Sequence, residues 1–153
     1  MMALLLALAI GIVAGLRAMT APAAVSWAAY LGWLPLGDSW LSFLAHPVTP
    51  WVFTVLALVE LVTDQLPSTP SRTVPAQFGA RILMGALAGA ALGAAVDMTL
   101  AGLVAGIVGA VIGTLGGRAA RARLAAAFGR DRPAALIEDV VAIGGAFLIV
   151  AAA

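Results

Sequence analysis

Between residues 82 and 117 the chain runs for 36 residues with one ionisable side chain, Asp97, and a few hydroxyls. As a single helix this stretch would be about 54 Å long at 1.5 Å per residue, nearly twice the hydrocarbon core of a bilayer, about 30 Å. It must fold back on itself, and Asp97-Met98-Thr99 is the natural turn, which gives two spans over residues 81–96 and 100–117. The rest of the chain is scarcely more polar. It is 63% hydrophobic and 10% charged, against about 25% charged for a soluble domain. The expected fold class is therefore all-α, a polytopic transmembrane helix bundle forming a single integral membrane domain over residues 1–153.

Three further segments complete the expected topology. Residues 3–16 are strong helix formers; no positive region precedes them and Arg17 follows, which argues for a retained first span over a cleaved signal peptide. Residues 51–66 form another span behind His46, Pro47 and Pro50, and residues 134–150 form the last, with Pro133 suited to its first turn. Between the first two spans, Thr20 and Pro22 suit a helix start while Gly32, Pro35 and Gly37 stop it. The helix they bound is about a dozen residues long, too short to cross. A re-entrant or interfacial helix is expected, with Trp27, Tyr30, Trp33 and Trp40 at headgroup depth. About five spans result. Loops 64–81 and 117–133 then share one side and hold seven of the eight arginines, so that side is cytoplasmic and the N-terminus with it. If residues 22–44 cross fully, a sixth span appears and everything before it flips.

Glycines at 85, 89 and 93, and at 102, 106, 109, 113 and 117, mark the third and fourth spans as close-packing surfaces, within a monomer or across a dimer, or as a pore wall. All eight basic residues are arginine in an Ala- and Gly-rich chain, a composition that suits a GC-rich bacterial genome and hence a bacterial inner membrane. There is no cysteine, and the net charge of +1 gives no bulk attraction for nucleic acid. So short a chain would need a second copy to enclose a pathway, which makes a homo-oligomer, first a dimer, the expected partner besides membrane lipids.

Ionisable groups in such a chain are the default functional candidates, because lipid penalises them unless something compensates. Glu60 and Asp64 lie four apart on one helix face, and Glu138 and Asp139 lie near the start of the last span. All four fall near the cytoplasmic ends of their helices, with Arg72, Arg81 and Arg118. They form either an ion-pair belt or an ion or proton site. Arg17 beside the Thr20 helix start, Ser71-Arg72 in the proline-broken loop, and Arg81 and Arg118 offer anion or lipid-headgroup contacts. Arg17 is alternatively a salt-bridge partner of Asp97 or Asp38, which the five-span topology places on its side. His46 is the one histidine, and no metal-ligand spacing, phosphate-cradling loop or nucleophile elbow occurs, so neither enzyme activity nor a metal or cofactor is expected.

The blocks GLRAMTAPA (15–23), ELVTDQLPSTPSRT (60–73), GALAGAALGA (85–94) and ALIEDVVAIG (135–144) resemble the small bacterial membrane proteins grouped as domain of unknown function 4126. The resemblance covers nearly the whole chain and implies no activity. Two functions therefore stand open: a channel or secondary transporter for an ion or small solute using the acidic cluster, or a lipid-headgroup-binding or scaffold protein acting through the arginines of residues 118–132.

Overall fold

The computed structural model describes residues 1–37, 39–64 and 74–153, all of them helical or in connections. The helices are α1 (Met2–Leu16), α2 (Thr20–Tyr30), a 3₁₀ helix (Trp40–Ala45), α3 (Thr49–Thr63), α4 (Pro75–Ala94), α5 (Thr99–Phe128) and α6 (Asp131–Ala152). Proline sets the start of α3 and of α4, where its missing N–H has no helical partner to lose. The long apolar run does fold back near Asp97, which takes a left-handed φ of 58° while the Met98 N–H reaches back to the Gly93 carbonyl at 2.8 Å. Of these helices, α4, α5 and α6 are long and apolar enough to cross a membrane, and α1 and α3 are shorter apolar helices.

The centre is a three-helix contact of α1, α4 and α5. Glycine makes it possible, since a Cβ on Gly89 would overlap the backbone of Gly102 and Gly106, and one on Gly109 that of Leu8 and Ile12. The stripes of α4 and α5 thus pack against helices of their own chain. A third stripe in α1, at Gly11 and Gly15, meets Gly106 and the 110–114 segment of α5. Ala- and Gly-rich faces replace the large side chains of a soluble core, so backbone approach carries the van der Waals contact.

Around this centre α2 is largely buried, touching α1, α4 and α6, whereas α3 packs chiefly on α2 and the 3₁₀ helix and turns most of its apolar residues outward. The segment after α1 travels farther than a re-entrant helix would. It starts beside Arg17, and its continuation brings Leu34 next to Met2, Val96 and Ala153 at the opposite end of the bundle. The chain therefore makes one more passage than the five-span topology counts. As a result Arg17 shares an end with Asp64, Arg81, Arg121 and Glu138, and the N-terminus lies at the other end. The physical reason is that α2 does not cover the distance alone: a turn at Leu31–Leu34, with Gly32 at positive φ and the Trp33 and Leu34 N–H groups bonded back to the Ala28 carbonyl, carries the chain on to that end.

The tryptophans and the tyrosine gather away from the arginines. Trp27 meets Trp51 edge-on at 5.1 Å and Tyr30 at 6.0 Å, and Tyr30, Trp33, Trp40 and Trp51 are exposed. Such an arrangement suits headgroup depth.

Candidate functional site

Arg17 ends α1 in an extended conformation, which turns its side chain from the helix into the space where the other helices terminate. Its guanidinium is fully buried. Three carboxylates meet it: Nη1 donates to Glu138 Oε1 at 2.8 Å and to Asp64, and Nε donates to Asp139 Oδ1 at 2.6 Å, with Nη2 paired to the same oxygen. Nη1 also reaches the Leu16 carbonyl at 3.2 Å. An arginine without contact to water survives inside only where charge and hydrogen bonds both compensate. Here acids from two other helices, α3 and α6, supply them.

Two neighbouring charges satisfy helix ends. Arg81, buried in the first turns of α4, donates to the Gly15 and Leu16 carbonyls at 3.0 and 2.9 Å, and so caps the last turn of α1. Glu60 accepts the Ala18 and Met19 N–H groups at 3.0 and 3.2 Å and caps the start of α2 from α3. The sharp joint between α1 and α2 thus exposes both orphan carbonyls and orphan amides, and an acid and a base from other helices cover them.

Arg121 completes the network. Its Nη2 and Nε bind the two Asp131 oxygens at 2.6 and 3.0 Å, Nη2 also reaches the Asp64 carbonyl at 3.3 Å, and Nη1 lies 3.8 Å from Glu138. Six helices are joined at this one end. Sequence reasoning brought Glu60, Asp64, Glu138, Asp139 and Arg81 together and the structure does the same. It put Arg17 at the far end with Asp97 or Asp38, and that placement is corrected: Arg17 is the centre of the cluster, and Asp97 is an exposed turn residue at the opposite end. Arg118 is exposed on α5. Thr20 is buried, and its hydroxyl has no hydrogen-bond partner among the described residues. Asp38, Ser71 and Arg72 lie outside the described residues.

Arg121 was read only as part of the basic cap. A signal for it exists, because Gly106, Ala110, Gly113, Gly117 and Arg121 fall at helical spacing on the buried face of α5.

A crevice of about 340 Å³ opens between α3 and α6, floored by α2 and lined almost wholly by apolar groups. Sequence reasoning missed it, since one of its walls comes from α6, far along the chain from α2 and α3. No curated protein and no solved structure matches the chain. Residues 4–153, essentially the whole chain, match the family described as Domain of unknown function (DUF4126), and the chain belongs to that family.

Proposed function

We propose that this protein is a multi-pass membrane transporter or channel for an ion or small solute, with the Arg17 cluster as its coupling site. The observation that supports the reading is the convergence of three carboxylates from α3 and α6 on one buried guanidinium. Carboxylates gathered at one point favour uptake of a proton or cation by one of them more than an isolated pair does. α3 packs on little besides α2 and the 3₁₀ helix, and Asp64 is the tie between its C-terminal end and Arg17. A proton or cation on the acids competes with that tie, so the same event that loads the site loosens α3. A ligand with unequal affinity for the tied and loosened states shifts the balance between them.

In this reading the arginine-bearing end faces the cytoplasm of a bacterial inner membrane, which leaves residues 1 and 153 together outside. The pathway is shared by two copies, because six closely packed helices enclose little space beyond their own packing.

Purified protein in liposomes tests the proposal. A proton gradient should drive flux that Glu138→Gln abolishes while the protein stays folded. No flux of protons, monovalent ions or small anions above protein-free vesicles would overturn it.

A second reading has its own support: Arg118, Arg123, Arg130 and Arg132 are exposed at the arginine-bearing end. They suit an anionic leaflet at about 1 kcal/mol per charge. Native mass spectrometry should then retain anionic lipid that is lost on Arg→Gln changes at these positions.

A further inference from the structure

α3 is the least buried helix of the bundle. Of its fifteen residues Pro50 alone is buried, and it packs on α2 and the 3₁₀ helix while the crevice of about 340 Å³ separates it from α6. α1, α4 and α5, by contrast, meet backbone to backbone at their glycines. Such an approach lets none of the three shift without displacing the others. Among the described helices α3 is thus the one freest to move.

Its two ends are fastened differently. At the first, Pro50 is fully buried, the Thr49 hydroxyl donates to the Phe43 carbonyl at 2.7 Å, and Trp27 Nε1 donates to Thr54 Oγ1 at 2.8 Å. No residue of α3 after Thr54 is buried, and there two carboxylates tie the helix to its neighbours. Asp64 pairs with Arg17. Glu60, one turn earlier, accepts the Ala18 and Met19 N–H groups on its two oxygens at 3.0 and 3.2 Å. Both ties are charge-assisted, so neutralising a carboxylate weakens its tie.

We propose that α3 is a lid that pivots at Pro50 and is latched at its far end by Glu60 and Asp64 together. The device rests on the transport reading and supplies the movement which that reading requires. Release of both carboxylates swings the far end of α3 away from Arg17. The crevice ends at Thr20, Leu61 and Ile143, which lie within four residues of Arg17, Asp64 and Asp139 respectively, so a displaced α3 joins the crevice to the ion cluster. A tilt of about 20° moves residue 62, roughly 18 Å along the helix from residue 50, by about 6 Å. Glu60 gives the latch its second key. When Asp64 loses Arg17, Glu60 still holds the α2 amides, and the reverse also holds, so neutralising one acid opens the lid in part and neutralising both opens it fully.

The chain has no cysteine, so spin labels can be placed singly on introduced ones. Val62→Cys on the far end of α3 and Leu83→Cys on α4 form the reporting pair; Val52→Cys beside the pivot and Val104→Cys on α5 form the control, and all four positions are exposed. Pulsed electron paramagnetic resonance reads distances within one copy when the labelled full chain is diluted with unlabelled chain in phosphatidylcholine nanodiscs. With the latch intact the 62–83 pair should give one main distance. Glu60→Gln with Asp64→Asn should move most of the population to a distance longer by about 3 to 6 Å, either change alone should move a smaller share, and the 52–104 pair should not shift. Thermal melting reports folding of each variant; should the double variant not fold, Glu60→Gln carries the test through the same longer component at lower occupancy. An unchanged 62–83 distance in every folded variant, or an equal shift in the control pair, overturns the proposal. Movement of α3 without any flux keeps the lid and removes the transport reading; flux from a chain whose 62–83 distance never shifts removes the lid alone.

Discussion

Arg17 is the largest fully buried side chain among the described residues, and its neighbours make its substitution asymmetric with theirs. Arg17→Gln leaves three carboxylates facing one another without the cation, and should cost about 3 to 5 kcal/mol, read as a sharp fall in melting temperature and in folded yield. Glu138→Gln leaves two carboxylates on Arg17 and copies the protonated form of the third, so stability should hold while proton-driven flux disappears. A matching fall in melting temperature for both variants would make the cluster a structural belt and nothing more. Lysine cannot stand in for Arg17, because a single ammonium lacks the planar fork that serves Asp64, Glu138 and Asp139 at once. Asp97→Asn should be silent in both measurements: the residue is exposed, far from Arg17, and asparagine tolerates its positive φ.

The elements are held by two different devices, and the sequence displays them unequally. Glycine spacing in α4 and α5 is visible in the chain, and it forecasts close approach correctly because small residues four apart always share a face. It does not say which helix comes close. The partner in part is α1, whose two glycines, Gly11 and Gly15, make too short a stripe to stand out among its alanines. Substitution separates packing glycines from incidental ones. Gly106→Ala pushes a methyl into the Gly85 backbone, and Gly109→Ala into that of Leu8, so both should destabilise by about 1 to 3 kcal/mol, as overpacked cores do. Gly144 has open space around its Cβ position, and Gly144→Ala should stabilise α6 by up to about 1 kcal/mol through helix propensity. Equal effects at positions 106 and 144, measured as denaturant midpoints in detergent, would mean that α5 does not approach α4 as closely as described. The acids of α3 and α6 were likewise legible as a group, since each lies near an end of an apolar helix. Arg17 was not, because its place depends on where α2 goes, and that depends on the turn at residues 31–34 that continues it, which hydropathy does not register.

At the scale of the whole molecule, one miscounted passage moved everything before it. An eleven-residue helix reads as too short to cross, and by its own length it is; the segment spans the bundle because residues 31–36 continue it. The same correction explains why Met2 and Ala153 line one small cavity together with Leu34 and Val96. Under the proposed function, orientation follows from the arginines, of which Arg17, Arg81 and Arg121 meet at one end of the bundle. Both the passage count and the orientation are open to one experiment, because the chain contains no cysteine of its own. Single reporters Met2→Cys, Ala152→Cys and Arg130→Cys stand at exposed positions on the two ends. In intact bacteria an impermeant maleimide should label residues 2 and 152 and should reach residue 130 only after the membrane is opened. Labelling of residues 2 and 130 from the same side would contradict the end-to-end course of the chain. Labelling of residue 130 alone in intact cells would keep that course and reverse the orientation, so that the arginines would face outward against the usual charge rule.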